Sequence, residues 1–206
     1  VNPAIPAGKR AEAAVIAGAL GNLSNAAMVS LYAEASGDEE KSEAVAARTN
    51  ALEIAYVGEG RAARLDGLRQ LFPESGQTPT AAGYGQLVLA SRAAASIAPD
   101  SGIDAAQKDW LIASIVSSGL DRQAAMWLDA VDTGSLGWAI IAASAPGLKT
   151  IDEGDVESFV GNDESAGQQK SKLLVAGLAG LGRVSPEFLA AQSEDLGTPL
   201  VRKSAF

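Results

Sequence analysis

The chain of 206 residues contains neither histidine nor cysteine. These absences exclude imidazole as a general base, a thiol nucleophile, disulfide bonds and the ligands that zinc prefers. Any catalysis would have to use carboxylates, hydroxyls or lysines. The missing residues therefore favour surface recognition over catalysis, and we expect no catalytic residue, no cofactor and no metal site.

Aromatic residues are also scarce, at 5% of the chain, although hydrophobic residues make up 47%. The core must therefore consist mostly of alanine, leucine, valine and isoleucine. Alanine has the highest intrinsic helix propensity, and its small side chain lets helices approach closely. The composition predicts an all-α fold.

Positive charge is in deficit, with 16 basic against 25 acidic residues and a net charge of −9. Binding to DNA, RNA or an anionic membrane surface needs clustered lysine and arginine, so we expect none of these partners. The most apolar stretches, 138–145 and 173–181, are shorter than the roughly 20 residues that a membrane span needs. We interpret both stretches as buried helices and expect no membrane insertion.

The chain begins Val1-Asn2-Pro3, without an initiator methionine or an apolar leader. This beginning is typical of a processed protein or of a fragment of a longer one. The absence of cysteine suits the cytoplasm as well as the periplasm or a secreted location. The sequence leaves the compartment and the oligomeric state open.

Alternating start and stop signals predict about ten or eleven helices and no strand. Capping residues such as Ser24, Asp38, Asp104, Asp121 and Ser185 mark predicted starts. The predicted helices cover 8–20, 24–34, 39–57, 61–72, 78–97, 105–118, 121–131, 136–144 and 185–193, with further starts at Thr150 and Ser165. We predict one domain over 1–206, with a subdivision near 73–78 as an option and an irregular tail at 196–206.

Short connections favour stacked antiparallel helix hairpins in an α-solenoid-like arrangement, and a globular multi-helix bundle is the alternative. Similar turns around Gly21, Gly119 and Gly182 suggest a helical repeat of about 32 residues. The predicted helix 39–57 has apolar residues on two opposite faces, with Leu52 on one and Val57 on the other. A helix of this kind packs on both sides, as inner helices of layered folds do.

Two groups of residues are candidates for contact with a partner. Large aromatic residues and arginine are frequent at binding hot spots. Tryptophan occurs only three times, always within 110–138, and three arginines flank the apolar stripe of the predicted helix 61–72. The candidate set is Trp110, Trp127, Trp138, Arg61, Arg64 and Arg69. The alternative is that the tryptophans fill the core and the arginine stems cover its edge.

The densest carboxylates lie in 152–157 and 162–164. Their spacing does not match a calcium loop, which needs glycine at its sixth and glutamate at its twelfth position. Glu157-Ser158 and Glu164-Ser165 resemble the Glu-Ser pair of lytic transglycosylases over those two residues, but neither is followed by that family's Gly-Leu-Met-Gln stretch. Paired carboxylates of this kind serve glycoside hydrolysis.

The sequence therefore leads to three functional hypotheses. The first is a non-enzymatic helical interaction module that binds a protein or peptide. The second is an accessory or catalytic helical domain that acts on cell-wall glycan through carboxylates of 152–164, which would require a cleft beside Glu157 or Glu164. The third is a structural fragment of a larger multidomain protein.

Overall fold

The computed structural model of the protein describes residue 2, residues 4–72 and residues 80–199. This part of the chain folds into eleven α-helices without a strand, which confirms the all-α prediction. The helices are α1 (Ala7–Ala19), α2 (Asn25–Ala35), α3 (Glu43–Val57), α4 (Gly60–Leu71), α5 (Ala81–Ala95), α6 (Ala105–Ser117), α7 (Asp121–Ala125), α8 (Leu136–Ser144), α9 (Glu153–Gly161), α10 (Gln169–Gly180) and α11 (Pro186–Asp195). The predicted subdivision near 73–78, the start at Thr78-Pro79 and most of the tail 196–206 lie outside the described residues.

Local capping signals define many of the helix starts. Ser24, Asp104 and Ser185 accept hydrogen bonds from the backbone N–H groups three residues later, as predicted. Such a cap satisfies one of the free N–H groups at a helix start. Several boundaries therefore follow from a few neighbouring residues.

Two predicted helix starts are wrong because the helices are capped by other residues than the sequence suggests. Helix α3 begins after Ser42, while the Asp38 carboxylate accepts a hydrogen bond of 2.7 Å from the Gly8 backbone N–H at the start of α1. Helix α9 is capped by Asp152, not by Thr150. The predicted helix 121–131 is also shorter, because α7 stops at Ala125 and a 3₁₀ turn follows at Leu128–Ala130.

Buried side chains form two cores that share α8. Ile141 and Ala145 belong to the first core, with residues of α1–α6, whereas Trp138 and Ala142 belong to the second, with α9, α10 and α11. Helix α8 is apolar on all sides, and this composition suits a helix that both cores enclose. The prediction of a buried helix over 138–145 is confirmed.

Helix α5 lies at the centre of the first core and contacts α1, α2, α3, α4 and α6. Solenoid helices contact only their neighbours along the chain, so the contact between α1 and α5 is typical of the bundle alternative.

The hairpin of α1 and α2 is antiparallel, but α5 and α6 run in the same sense. Ser114 Oγ donates to the Leu87 carbonyl, and Ser118 Oγ, directly after α6, donates to Ser91 Oγ. Residue numbers therefore increase in the same direction along both helices, which makes the pair parallel.

Two helices leave an apolar face uncovered that the sequence predicts to be buried. On α3, Leu52 is buried, but Val57 on the other face is exposed, so the prediction of packing on both sides is wrong. On α10, Leu178 is buried, whereas Leu173 and Leu181 are exposed. Each helix has the apolar residues that the sequence shows, but among the described residues it packs against fewer neighbours than predicted.

The three similar turns share one backbone geometry. Gly21, Gly119 and Gly182 adopt φ of 72°, 70° and 66°, and each ends a helix with paired backbone hydrogen bonds of the Schellman type. The same geometry recurs at Gly197 after α11. The turn is therefore a general way in which this chain ends helices, and the repeat stays a prediction.

Within the described ranges, no helix is both long enough and apolar enough to cross a bilayer.

Candidate functional site

The three tryptophans do not share one surface. Trp127 is 1% exposed in the first core, and Trp138 is 5% exposed in the second. Neither side chain is available to a partner in this structure, which corrects their assignment to a binding surface. Trp110 is partly exposed, and its ring stacks on that of Phe72 with the centroids 6.2 Å apart.

The arginines of α4 contact acidic groups of the protein itself. Arg61 forms an ion pair with Asp100 in the connection between α5 and α6. Arg69 donates to Asp66 at 2.7 Å and to the Gln107 side-chain carbonyl at 2.7 Å. These contacts hold α4 against the start of α6.

Part of the predicted set does converge. Arg69 of α4 contacts Gln107, and Phe72, directly after α4, contacts Trp110; Gln107 and Trp110 are one turn apart on α6. Arg64 lies on α4 as well, with its side chain partly exposed. The α4–α6 surface is thus a small apolar contact, and two of the nearby guanidinium groups, those of Arg61 and Arg69, already have internal partners.

A cavity of about 480 Å³ lies where the two cores meet. Its wall is built by α6, the loop before α8, the end of α9 and the start of α10. We call it the acidic pocket, and its lining residues are Asp109, Asp132, Thr133, Gly134, Ser135, Leu136, Phe159, Asn162, Asp163, Glu164, Ser165 and Lys170. The glycan hypothesis requires a cleft beside Glu157 or Glu164. Glu164 lines this cavity, whereas Glu157 does not.

The floor of the acidic pocket depends on two adjacent charged residues of α6. Lys108 is buried, and its Nζ donates to the Ala130 carbonyl at 2.9 Å. Asp109 accepts a hydrogen bond of 2.6 Å from the Gly137 backbone N–H at the start of α8. Burial raises the pKa of Asp109, although the Gly137 hydrogen bond and the Lys108 charge oppose that shift. Asp109 is thus a carboxyl group that ionises less readily than usual.

Asp163 has the opposite character. Burial disfavours its ionisation, but hydrogen bonds from Ser165 and Ser171 outweigh burial and lower its pKa to about 2. The Ser171 backbone N–H and Oγ donate to one carboxylate oxygen at 2.8 and 2.7 Å, and the Ser165 backbone N–H donates to the other at 2.9 Å. The ionised Asp163 side chain therefore anchors the beginning of α10.

Replacing Asp163 by asparagine is expected to lower the free energy of unfolding by about 1 kcal/mol near neutral pH, a value reduced for solvent screening. The folded pKa is lowered, so the stabilisation is complete above the ordinary pKa of 3.8 and is lost as the pH falls toward about 2. Urea unfolding of Asp163→Asn and the parent protein should therefore converge as the pH decreases through this window.

Glu164→Gln provides the control, since the neighbouring side chain is exposed and should change stability by less than about 0.5 kcal/mol at any pH. A difference between Asp163→Asn and the parent that does not depend on pH would contradict the anchoring role of the ionised carboxylate.

Sequence patterns identify only part of this pocket. Glu164 belongs to the predicted acidic stretch, but the sequence analysis missed Asp109, Asp132 and Lys170. One available signal was Lys108, which shares the helical face of the buried Leu111 and Ile115. A charged residue on an apolar helix face is uncommon, and it indicates a specific buried partner.

No group of three or more acidic side chains in the described ranges is arranged as a metal site. Comparisons of the chain with protein-family models, with curated proteins and with solved structures found no match.

Proposed function

We propose that this protein is a non-enzymatic helical interaction module whose acidic pocket receives a lysine or arginine side chain of a protein or peptide partner. The observation that carries the proposal is the composition of one cavity. Four carboxyl groups and one ammonium group surround it, and Leu136 and Phe159 contribute apolar surface. Such a lining is complementary to a cationic head on an apolar stem.

The lysine and arginine side chains combine these two properties. Their methylene groups pack on apolar surface while the charged head stays with polar partners. In the acidic pocket, Asp132 and Glu164 are exposed, and Asp132 can accept a cation's hydrogen bonds although it already lies 3.9 Å from Lys108 Nζ. The charge-assisted hydrogen bonds between such groups are stronger than neutral ones.

A glycan-cleaving role is the second candidate, and the opposite pKa shifts of Asp109 and Asp163 favour it. Pairs of carboxyl groups with separated pKa values can divide the roles of acid and base. However, Asp163 already accepts three hydrogen bonds that hold α10. This use of Asp163 supports binding over hydrolysis. Reducing ends released from peptidoglycan by the parent protein but not by Asp109→Asn would reverse that order.

The binding proposal is tested with a capped tetralysine peptide as the probe, titrated by isothermal calorimetry. The double variant Asp132→Asn/Glu164→Gln is expected to weaken binding by about tenfold, which corresponds to about 1.4 kcal/mol. Binding should also weaken at high salt, because exposed charges are screened.

A matched control is necessary because a protein with a net charge of −9 attracts any polycation. Asp155→Asn/Glu157→Gln removes the same charge from α9 at two positions outside the pocket. Its affinity for tetralysine should stay within about twofold of the parent's. Equal weakening by both double variants would show that binding reflects net charge, and would overturn the proposal.

A further inference from the structure

One face of α10 is apolar, exposed and without a neighbour among the described residues. Leu173 and Leu181 are 73% and 54% exposed. The residues of this face, all exposed, are Lys170, Leu173, Ala176, Gly177, Gly180 and Leu181. The adjoining side of α10, with Leu174 and Leu178, is buried in the second core. Single exposed leucines are common, but two leucines separated only by alanine and glycine on one face form a continuous stripe.

The two glycines of this stripe are not in close packing contact with any other described residue. Glycine weakens a helix relative to alanine, so a helical glycine calls for a reason. At Gly67 and Gly85 the reason is close packing, since an added Cβ would lie 2.5 Å from the Ala55 backbone nitrogen and 1.9 Å from the Val15 carbonyl oxygen, respectively. At Gly177 and Gly180 an added Cβ would meet no atom of the described residues within 4 Å. The α10 face therefore resembles the tightly packed helix contacts of the core, but without the second helix.

The arrangement of the stripe suits a second copy of the same helix. Leu173 and Leu181 lie four residues before and after Gly177. In an antiparallel pair with its two-fold axis at Gly177, Leu173 of each copy would pack against Leu181 of the other. A two-fold interface requires such a self-complementary patch.

Charge selects the antiparallel orientation. Lys170 stands at the beginning of the stripe, and Glu187 is exposed in the first turn of α11, just beyond the end of α10. An antiparallel pair brings Lys170 toward Glu187 and the negative end of the helix dipole of the other copy. A parallel pair would instead bring the two copies of Lys170 together.

We propose that α10 mediates antiparallel self-association of this protein through the stripe from Leu173 to Leu181. The interface is small, because a helix of 12 residues is only about 18 Å long. It falls short of the roughly 1,600 Å² that stable interfaces bury, so we expect a reversible dimer with a Kd of about 10 to 100 µM. This association does not depend on the proposed binding of a basic side chain.

The first test is sedimentation equilibrium of the full chain over about 5 to 500 µM, which spans the expected Kd. The average mass should rise from 20.9 kDa toward that of a dimer. Leu173→Glu is expected to raise the Kd at least about tenfold, because it places a charge in the apolar contact. Leu20→Glu is the matched control, since Leu20 is 67% exposed at the end of α1 and should not affect association.

Both leucines are exposed, so neither variant should alter the circular dichroism spectrum or the melting temperature of the dilute protein. A parent protein that remains monomeric over the whole range would overturn the proposal, as would equal effects of Leu173→Glu and Leu20→Glu. Loss of stability in monomeric Leu173→Glu would show that another part of the same chain covers the stripe, and would also overturn it.

The second test uses the absence of cysteine in this chain. Gly177→Cys introduces a single thiol at the proposed two-fold axis, where two copies can meet within disulfide distance. Under mild oxidation it should form a covalent dimer at least about tenfold faster than Gly161→Cys, whose glycine is also exposed and helical, with open space at its Cβ position among the described residues. Equal rates for the two variants would contradict an interface centred on Gly177.

Discussion

Gly85→Ala is expected to destabilise the protein by about 3 kcal/mol or more, one of the two largest effects of a single substitution that we expect. An added Cβ would lie 1.9 Å from the Val15 carbonyl oxygen and 2.7 Å from the Val15 carbonyl carbon. Both atoms belong to the backbone of α1, so they cannot rotate away as a side chain would. Relief requires α1 and α5 to separate, and α5 is the helix on which the first core is assembled.

The measurement is the free energy of unfolding in urea, at protein concentrations where α10 does not associate. Gly177→Ala is the matched control, because its Cβ would meet no atom in the part of the chain that the structure describes, and alanine favours the helix by up to about 1 kcal/mol. The same substitution of glycine by alanine should therefore lower the free energy of unfolding at position 85 and raise it at position 177. A similar effect at both would contradict the close contact between α1 and α5.

A third glycine distinguishes backbone contact from side-chain contact if Gly85→Ala does not fold. At Gly18 the added Cβ would overlap the Met28 side chain, with its Sδ at 2.3 Å. Methionine is flexible and can move, so Gly18→Ala should cost less than about 2 kcal/mol. Gly18→Ala should thus yield a folded protein even when Gly85→Ala does not.

Arg183→Met is expected to destabilise the protein by about 3 kcal/mol or more, because it leaves buried carbonyl groups without donors. The Arg183 side chain is buried and donates to the carbonyls of Ala142 and Ala145, the latter at 2.7 Å. These carbonyls lie at the end of α8, where the helix has no internal donors and its dipole attracts a cation. Arg183 thereby fastens the turn between α10 and α11 to the helix that both cores share.

Urea unfolding measures the global effect, and hydrogen exchange measures the local one. The Ile151 backbone N–H donates to the Arg183 carbonyl at 2.9 Å, so its protection should fall in Arg183→Met. Arg183→Lys should lie between the parent and Arg183→Met, since lysine keeps the charge but not the forked donors. Arg122→Met is the control, because Arg122 is exposed on α7 and should change stability by less than about 0.5 kcal/mol.

These two residues show where prediction from the sequence ends. Gly85 lies inside an otherwise favourable helical segment, and its contact with Val15 joins positions 70 residues apart. Arg183 follows a predicted stop signal, and no local pattern assigns it to the end of α8. Both depend on how helices pack, and helix propensities contain no information about packing partners.

The acidic pocket could be predicted from the sequence only in part. The acidic stretch that contains Asp163 and Glu164 is evident in the sequence, and so is the need for a cleft beside it. The opposite wall is Asp109, more than fifty residues earlier in the chain, and it reaches the pocket because α6 packs against α8. The tryptophans illustrate the reverse case, because their closeness in sequence did not bring Trp127 and Trp138 into one core.

Local sequence signals specify the all-α class and many helix ends, because caps, glycine stops and alanine propensity act over a few residues. The packing of the whole chain determines which apolar faces are covered, and it leaves those of Val57 and Leu173 exposed. It also placed α8 between two cores and assembled the acidic pocket from four separate segments. Hydrophobic burial is non-directional. The sequence of a helix therefore shows that one of its faces is apolar, but the neighbour that covers this face depends on how all the helices pack.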